Sequence, residues 1–166
     1  MKKMILFTTI LTVSIFSLVT FSKCSTPRSS SKNSTNLRAS SIKDMIESHH
    51  FTFVAETVNP LSGRFRNLTS QYDVSVRKDS VISYLPYFGR ARTAPLDPSE
   101  GGIKFTSTRF SYVVTESKID RWDITIKPED VLDVQQFNFS IFDNGTANLN
   151  IASTSRDPIS FNGRIK

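Results

Sequence analysis

Chemically reactive side chains are scarce in this sequence. Its 166 residues include one cysteine, Cys24, and two histidines, His49 and His50. Cys24 directly follows an apolar N-terminal segment, so its loss by cleavage or its acylation would leave the rest of the chain without a thiol. The domain would then have no disulfide, no thiolate metal site and no cysteine nucleophile.

The two histidines offer little for catalysis or metal binding. Adjacent residues of a helix point about 100° apart, so His49 and His50 cannot share a metal ion as an i, i+4 pair can. A Ser-His-Asp triad would depend on one of them, and the sequence has no Gly-x-Ser-x-Gly motif to mark a nucleophile. We therefore expect no catalytic residue, no metal and no cofactor.

The basic composition comes from one part of the chain. The formal net charge is +6, from 21 Lys and Arg against 15 Asp and Glu. Six of these cations and none of the acids lie in residues 1–40, so residues 41–166 hold 15 charges of each sign. A neutral domain without a nucleic-acid-binding motif does not favour a nucleic-acid partner.

The N-terminus has the pattern of an export signal. Two lysines follow Met1, and residues 4–22 form an uncharged, mostly apolar run. We expect a signal peptide over residues 1–24, and localisation to the periplasm or outer membrane of a Gram-negative bacterium. Cys24 is a candidate lipidation site, but Phe21 and Lys23 depart from the usual lipoprotein motif. Ordinary cleavage after Ser22 or Cys24 is the alternative.

Residues 25–40 are rich in serine and nearly devoid of large apolar side chains, so they predict a disordered tether. Residues 41–166 then form one β-rich domain. A short helix is expected at about 41–49, because Ser41 and Asp44 have capping-box spacing. Ile42, Ile46 and His49 contribute to one stripe of that helix, which should cover an open end or edge of a sheet.

Period-two alternation of apolar residues follows the predicted helix. About eight or nine antiparallel strands are predicted, as a single β-barrel or a two-sheet sandwich. Tight turns are expected at 78–79 and at 143–145. The acids Glu129, Asp130 and Asp133 are interpreted as the first turn of a short helix rather than a calcium site. No long helical pattern separates the strands, which argues against Rossmann and P-loop architectures.

The connection at 86–102 is the candidate ligand-binding segment. It is longer than a hairpin turn and contains Tyr87, Phe88, Arg90 and Arg92. The arginines could meet a carboxylate or sulfate while the rings, with Trp122, contact an apolar or sugar face. In the alternative interpretation, the rings plug the barrel end and the arginines pair with acids such as Asp97 or Glu100.

Residues 85–91, with the sequence LPYFGRA, resemble the signature of an exported domain-of-unknown-function family common in Bacteroidetes-type bacteria. Similar flanking patterns lie at 51–55, 101–105, 142–147 and 159–163. The resemblance covers about residues 41–166. It implies a secreted or lipoprotein β-rich domain and assigns no catalytic residue.

Three functions remain open from sequence. The first is a non-catalytic domain, with or without a membrane tether, that binds a small molecule or an envelope protein through the 86–102 loop. The second is an envelope or glycan hydrolase that uses carboxylates such as Asp120 and Asp123. The third is a structural module that pairs with another protein at a sheet edge.

Overall fold

The structure is a computed structural model that describes residues 40–92, 101–118 and 120–166. The predicted signal peptide at 1–24, with Cys24, lies outside these residues, as does the predicted tether up to residue 39. Within the described part of the chain, no helix is long and apolar enough to cross a membrane.

One short helix precedes the strands, as predicted. Helix α1 covers residues 40–47. It ends before the predicted residue 49, because His49 adopts a positive φ of 53° that stops helical propagation. The described strands are β1 Phe51–Pro60, β2 Arg66–Val76, β3 Val81–Leu85, β4 Ile103–Ser107, β5 Phe110–Lys118, β6 Arg121–Pro128, β7 Val134–Phe142, β8 Thr146–Ser153 and β9 Ile159–Ile165.

The nine strands form one antiparallel sheet in the order β4-β3-β2-β1-β9-β8-β7-β6-β5. The two edge strands, β4 and β5, follow each other in the chain and are separated by residues 108 and 109 alone. The sheet therefore curls until its edges approach each other, as a nearly closed barrel. This confirms the mainly-β prediction and favours the barrel over the sandwich.

The core lies inside the curled sheet because apolar side chains alternate along each strand. Its largest fully buried side chains include five phenylalanines: Phe51, Phe53, Phe137, Phe139 and Phe161. The Phe139 ring meets Phe51 and Phe53 edge-on, with centroid separations of 5.8 and 5.7 Å. Such edge-to-face contacts are favourable beyond the burial of area alone.

Helix α1 covers the barrel end at which β1 begins. Ile42 and Ile46 are buried, as expected from the predicted stripe. The Tyr112 hydroxyl of edge strand β5 donates a hydrogen bond to the carbonyl oxygen of Ile46 at 3.1 Å. The helix therefore ties the first element of the domain to one edge of the sheet.

The structure has both of the tight turns that the sequence predicts, but it lacks the predicted helical turn. Gly145 has a φ of 82°, and the Asn144 side-chain oxygen accepts the Thr146 N–H at 2.9 Å, as a tight hairpin requires. The Arg77 N–H likewise closes the 77–80 turn on the Ser80 carbonyl at 2.8 Å. The predicted helical turn at 129–133 is wrong, because these residues form bends.

Candidate functional site

Four connections meet at the barrel end opposite α1, which we call the loop end. It comprises the β1–β2 hairpin at 61–65, the start of the β3–β4 connection at 86–92, and the connections at 129–133 and 154–158. The 154–158 connection is central. Its backbone bonds to Arg90, Arg92 and Asp133, and Pro60 pairs with Ile159 where it enters β9.

The Tyr87 hydroxyl is bound to the protein itself. Its hydroxyl donates to the carbonyl oxygens of Arg90, at 2.8 Å, and Asp157, at 3.0 Å. The Arg156 guanidinium lies 5.2 Å from the Tyr87 ring centroid. Burial, followed by the nearby Asp157 charge, raises the pKa of the Tyr87 hydroxyl, so this group stays a neutral donor.

Phe88 is also held by a cation. The Arg66 guanidinium lies 5.0 Å from the Phe88 ring centroid, which joins the β1–β2 hairpin to the 86–92 segment. Tyr87 and Phe88 both pack against the core. This is the arrangement that the plug interpretation of the loop requires.

Arg90 and Arg92 are exposed, but their backbone is fixed. The Arg90 carbonyl accepts the Asp157 N–H at 3.0 Å, and the Arg92 N–H donates to the Ser155 carbonyl at 2.7 Å. No carboxylate in the described ranges forms an ion pair with either guanidinium. The predicted partners Asp97 and Glu100 lie outside the described residues.

Arg156 organises the loop end, although the sequence did not point to it. Its Nε lies 2.9 Å from Asp133 Oδ2, and its Nη1 donates to the carbonyls of Gly101 and Gly102 at 3.2 and 3.1 Å. Ser155 donates to the other Asp133 carboxylate oxygen. These partners are distant in sequence, so no local motif could have identified Arg156.

A pocket of about 250 Å³ occupies the gap between β4 and the start of β7. Its walls are residues 102–105 on one side and Val131, Asp133, Val134 and Arg156 on the other. The pocket is close to the lower size of small-molecule sites. Apolar walls with a few charged groups suit a small amphipathic ligand.

Trp122 is not part of this cluster. It pairs with Ile141 near the end of β7, whereas the loop end contacts the start of that strand, at Val134. Val134 and Ile141 are seven positions apart along the strand, or about 23 Å at the usual rise. The structure therefore brings Tyr87, Phe88, Arg90 and Arg92 together and leaves Trp122 at the other end.

Among the acids that the sequence singled out, Asp123, Asp130 and Asp133 bind other groups of the protein. Asp123 pairs with Arg121 at 2.6 Å and accepts a hydrogen bond from Ser140 at 2.7 Å. Asp130 caps the β4–β5 corner, and Asp133 pairs with Arg156. Among the described residues, no group of His, Cys, Asp and Glu has the arrangement of a metal site.

Fold and site together define a barrel-like β-domain with an arginine-bearing loop end. Its family follows from the sequence match: a family model described as Domain of unknown function (DUF4251) matches residues 33–165. The chain belongs to this family. Among curated proteins, no sequence matches the chain.

A solved structure shares the fold. The crystal structure of a DUF4251 family protein from Bacteroides eggerthii DSM 20697 matches with a TM-score of 0.53 and 11% sequence identity. The match covers 78% of this chain and 87% of the Bacteroides chain. At this identity the similarity concerns the fold and carries no functional residue.

Proposed function

We propose that this protein is an exported, non-catalytic binding domain, held on a membrane through Cys24. Its site is the start of the 86–102 loop together with the adjoining pocket. The ligand is a small molecule, or part of an envelope partner, that carries a carboxylate or sulfate beside an apolar group.

The fixed backbone at Arg90 and Arg92 is the observation that carries this proposal. Hydrogen bonds to the 154–158 connection hold both residues in place, while both side chains are exposed. Guanidinium groups bind carboxylate and sulfate in a planar, two-point geometry. Holding the backbone in advance lowers the entropic cost of binding.

The pocket supplies a complementary apolar surface. Phe105, Val131 and Val134 are among the residues that line it. Asp133 is the one acid among the residues that line it, and it is already paired with Arg156. A glycan hydrolase requires two carboxyl groups at its site, so one carboxylate that already pairs with an arginine favours ligand binding over hydrolysis.

A binding screen tests the site. Thermal shift and calorimetry would be measured with sulfate, citrate and monosulfated sugars, on wild type and on Arg90→Ala/Arg92→Ala. We expect at least about a tenfold loss of affinity, since each charge-assisted contact contributes about 1.5–3 kcal/mol. Lys78→Ala/Lys166→Ala, which removes two exposed cations elsewhere, should bind normally. Unchanged binding by the double arginine variant would exclude this site.

The membrane anchor has its own test. Mass spectrometry of the mature N-terminus should find an acylated Cys24, and Cys24→Ala should release the protein from the membrane fraction. A single myristoyl-length chain gives weak, reversible binding, so two or more chains are expected. An unmodified start at Lys23 or Ser25 would contradict the anchor but leave the ligand site untouched.

A second candidate is a protein-interaction module that pairs at a sheet edge. Edge strand β5 exposes Val113 and Val114, at 55% and 39% of their surfaces. Exposed apolar edge strands favour pairing with another chain.

A further inference from the structure

The β1–β2 hairpin presents unusually exposed apolar side chains at the loop end. Leu61 is 68% exposed and Phe65 is 57% exposed, both within five residues of chain at the hairpin tip. Exposure of apolar side chains to water is energetically unfavourable, and a contiguous exposed apolar patch commonly marks an interaction site. The tip therefore has an apolar character that the core does not explain.

Cations surround this tip. Arg64 and Arg66 flank Phe65, and both are exposed. Arg66 contacts the Phe88 ring, so the hairpin lies against the 86–92 segment, which carries the exposed Arg90 and Arg92. Neither 61–66 nor 86–92 contains an acid. The domain is neutral as a whole, but four arginines are concentrated here.

Leu132, another exposed apolar residue of the loop end, has acidic rather than basic residues beside it. Leu132 is 98% exposed, but its connection contains Glu129, Asp130 and Asp133. Asp130 and Asp133 are engaged with groups of the protein, whereas Glu129 is exposed. Leu132 is therefore equally apolar but lies beside acids, which makes it a natural control.

We propose that the hairpin tip contacts an anionic phospholipid bilayer. Leu61 and Phe65 enter the headgroup region, and Arg64 and Arg66 meet lipid phosphates, with Arg90 and Arg92 alongside. Interfacial binding combines buried apolar area with attraction of basic residues to anionic lipid, about 1 kcal/mol for each cation near the surface. An exposed hairpin tip suits a bilayer surface, into which side chains can partition without a preformed groove.

This inference rests on the proposed membrane location, and the geometry permits it. The described chain begins with α1, beside the start of β1, and the hairpin tip follows the end of that strand, about 33 Å away for ten residues. A chain of 15 residues, the length of 25–39, spans at most about 50 Å. A lipid on Cys24 could therefore hold the domain close enough for the opposite end to reach the bilayer.

Hydrogen exchange of the protein as purified from cells tests the contact. The protein would be mixed with phosphatidylcholine vesicles, with and without about 30% phosphatidylglycerol. We expect amides of residues 61–66 to exchange at least about fivefold more slowly with the anionic vesicles. Pure phosphatidylcholine should give no such protection. Salt at about 1 M, where the Debye length falls to about 3 Å, should weaken it.

Matched variants identify the side chains responsible. Leu61→Ser/Phe65→Ser and Arg64→Glu should each abolish the protection, whereas Leu132→Ser and Lys78→Glu should keep it. Equal protection with both vesicle types would overturn the recognition of anionic lipid. Protection by polyglutamate but not by vesicles would assign the tip to an acidic protein and overturn the proposal.

The outcomes separate this inference from the proposed function. Suppose that Cys24 is acylated and that ligand binding depends on Arg90, but that the hairpin amides are not protected by vesicles. The further inference would then be wrong, and the proposed function would stand. A protected hairpin with an unmodified N-terminus would show that the tip binds lipid without an anchor. Loss of the ligand response in the screen would leave the hairpin measurement unaffected, because none of its variants changes the 86–92 segment.

Discussion

Asp130 holds the corner at which the chain passes from one sheet edge to the other. Its carboxylate accepts hydrogen bonds from the Ser107 hydroxyl and from the N–H groups of Thr108, at 2.9 Å, and Arg109, at 3.2 Å. The Ser107 bond first, and then the backbone bonds, favour the ionised form. They lower the pKa of Asp130 from 3.8 to about 2.

This lowered pKa predicts a pH dependence of stability. The unfolded state takes up a proton on Asp130 at higher pH than the folded state, so the stabilisation is complete above about pH 4. It is lost as the pH falls towards 2. Thermal midpoints measured by circular dichroism should therefore fall more steeply for wild type than for Asp130→Asn in this window. Glu129→Gln should follow wild type, and parallel curves for wild type and Asp130→Asn would refute the assignment.

Gly163 permits a close approach of two central strands. β1 has a register irregularity between Ala55 and Thr57, and a Cβ at position 163 would overlap the Val54 carbonyl oxygen. Since this obstacle is backbone, Gly163→Ala must displace a strand and should cost about 3 kcal/mol or more. Urea unfolding measures the loss. Asn162→Ala, at the exposed neighbouring position, should cost far less, and a stable Gly163→Ala would show that β1 can shift.

At the scale of elements, the connections of the loop end depend on Arg156. Arg156→Ala would remove the Asp133 ion pair, the bonds to Gly101 and Gly102, and the contact with Tyr87. We expect a loss of about 3 kcal/mol in urea unfolding, because the change leaves the partly buried Asp133 carboxylate and two partly buried carbonyls without their shared donor. Hydrogen exchange of β4 should also become faster.

Arg164→Ala is the matched control for Arg156→Ala. Arg164 also forms an ion pair, with Glu56 at 3.0 Å, but both side chains are largely exposed. Exposed pairs contribute little, so this variant should stay within about 1 kcal/mol of wild type. Equal losses in the two variants would mean that the buried arrangement of Arg156 carries no special stabilisation.

These elements also show what the sequence could predict. Ile42 and Ile46 in α1, and the Asn144-Gly145 turn, follow from residue types a few positions apart, so local patterns identify them. Arg156 and Asp130 act across 20 or more residues, on Gly101 and Ser107 respectively. Such contacts form only because the whole sheet curls, and no single residue or local motif predicts that curvature.

For the whole molecule, the sequence predicted strands but not how they are arranged. Alternation indicated about nine strands with one buried face, which both a barrel and a sandwich satisfy. Trp122 is predicted from sequence to line one site with Tyr87, but the strand register places the two residues at opposite ends of the barrel. Net charge similarly concealed a local separation of charge, since 61–66 and 86–92 hold four arginines and no acid, while 129–133 holds three acids and no cation.

The near-closure of the barrel leaves β4 and β5 as edges, and this predicts how the molecule associates. β5 exposes Val113 and Val114, so a charge there should oppose edge-to-edge pairing. Val113→Lys should keep the thermal midpoint within about 2 °C, because the side chain is exposed, and should slow association on heating. Light scattering at several protein concentrations measures this. Val113→Thr, which keeps strand propensity without charge, should associate nearly as wild type does. Equal association of Val113→Lys and wild type would mean that β5 is not the edge through which copies or partners meet.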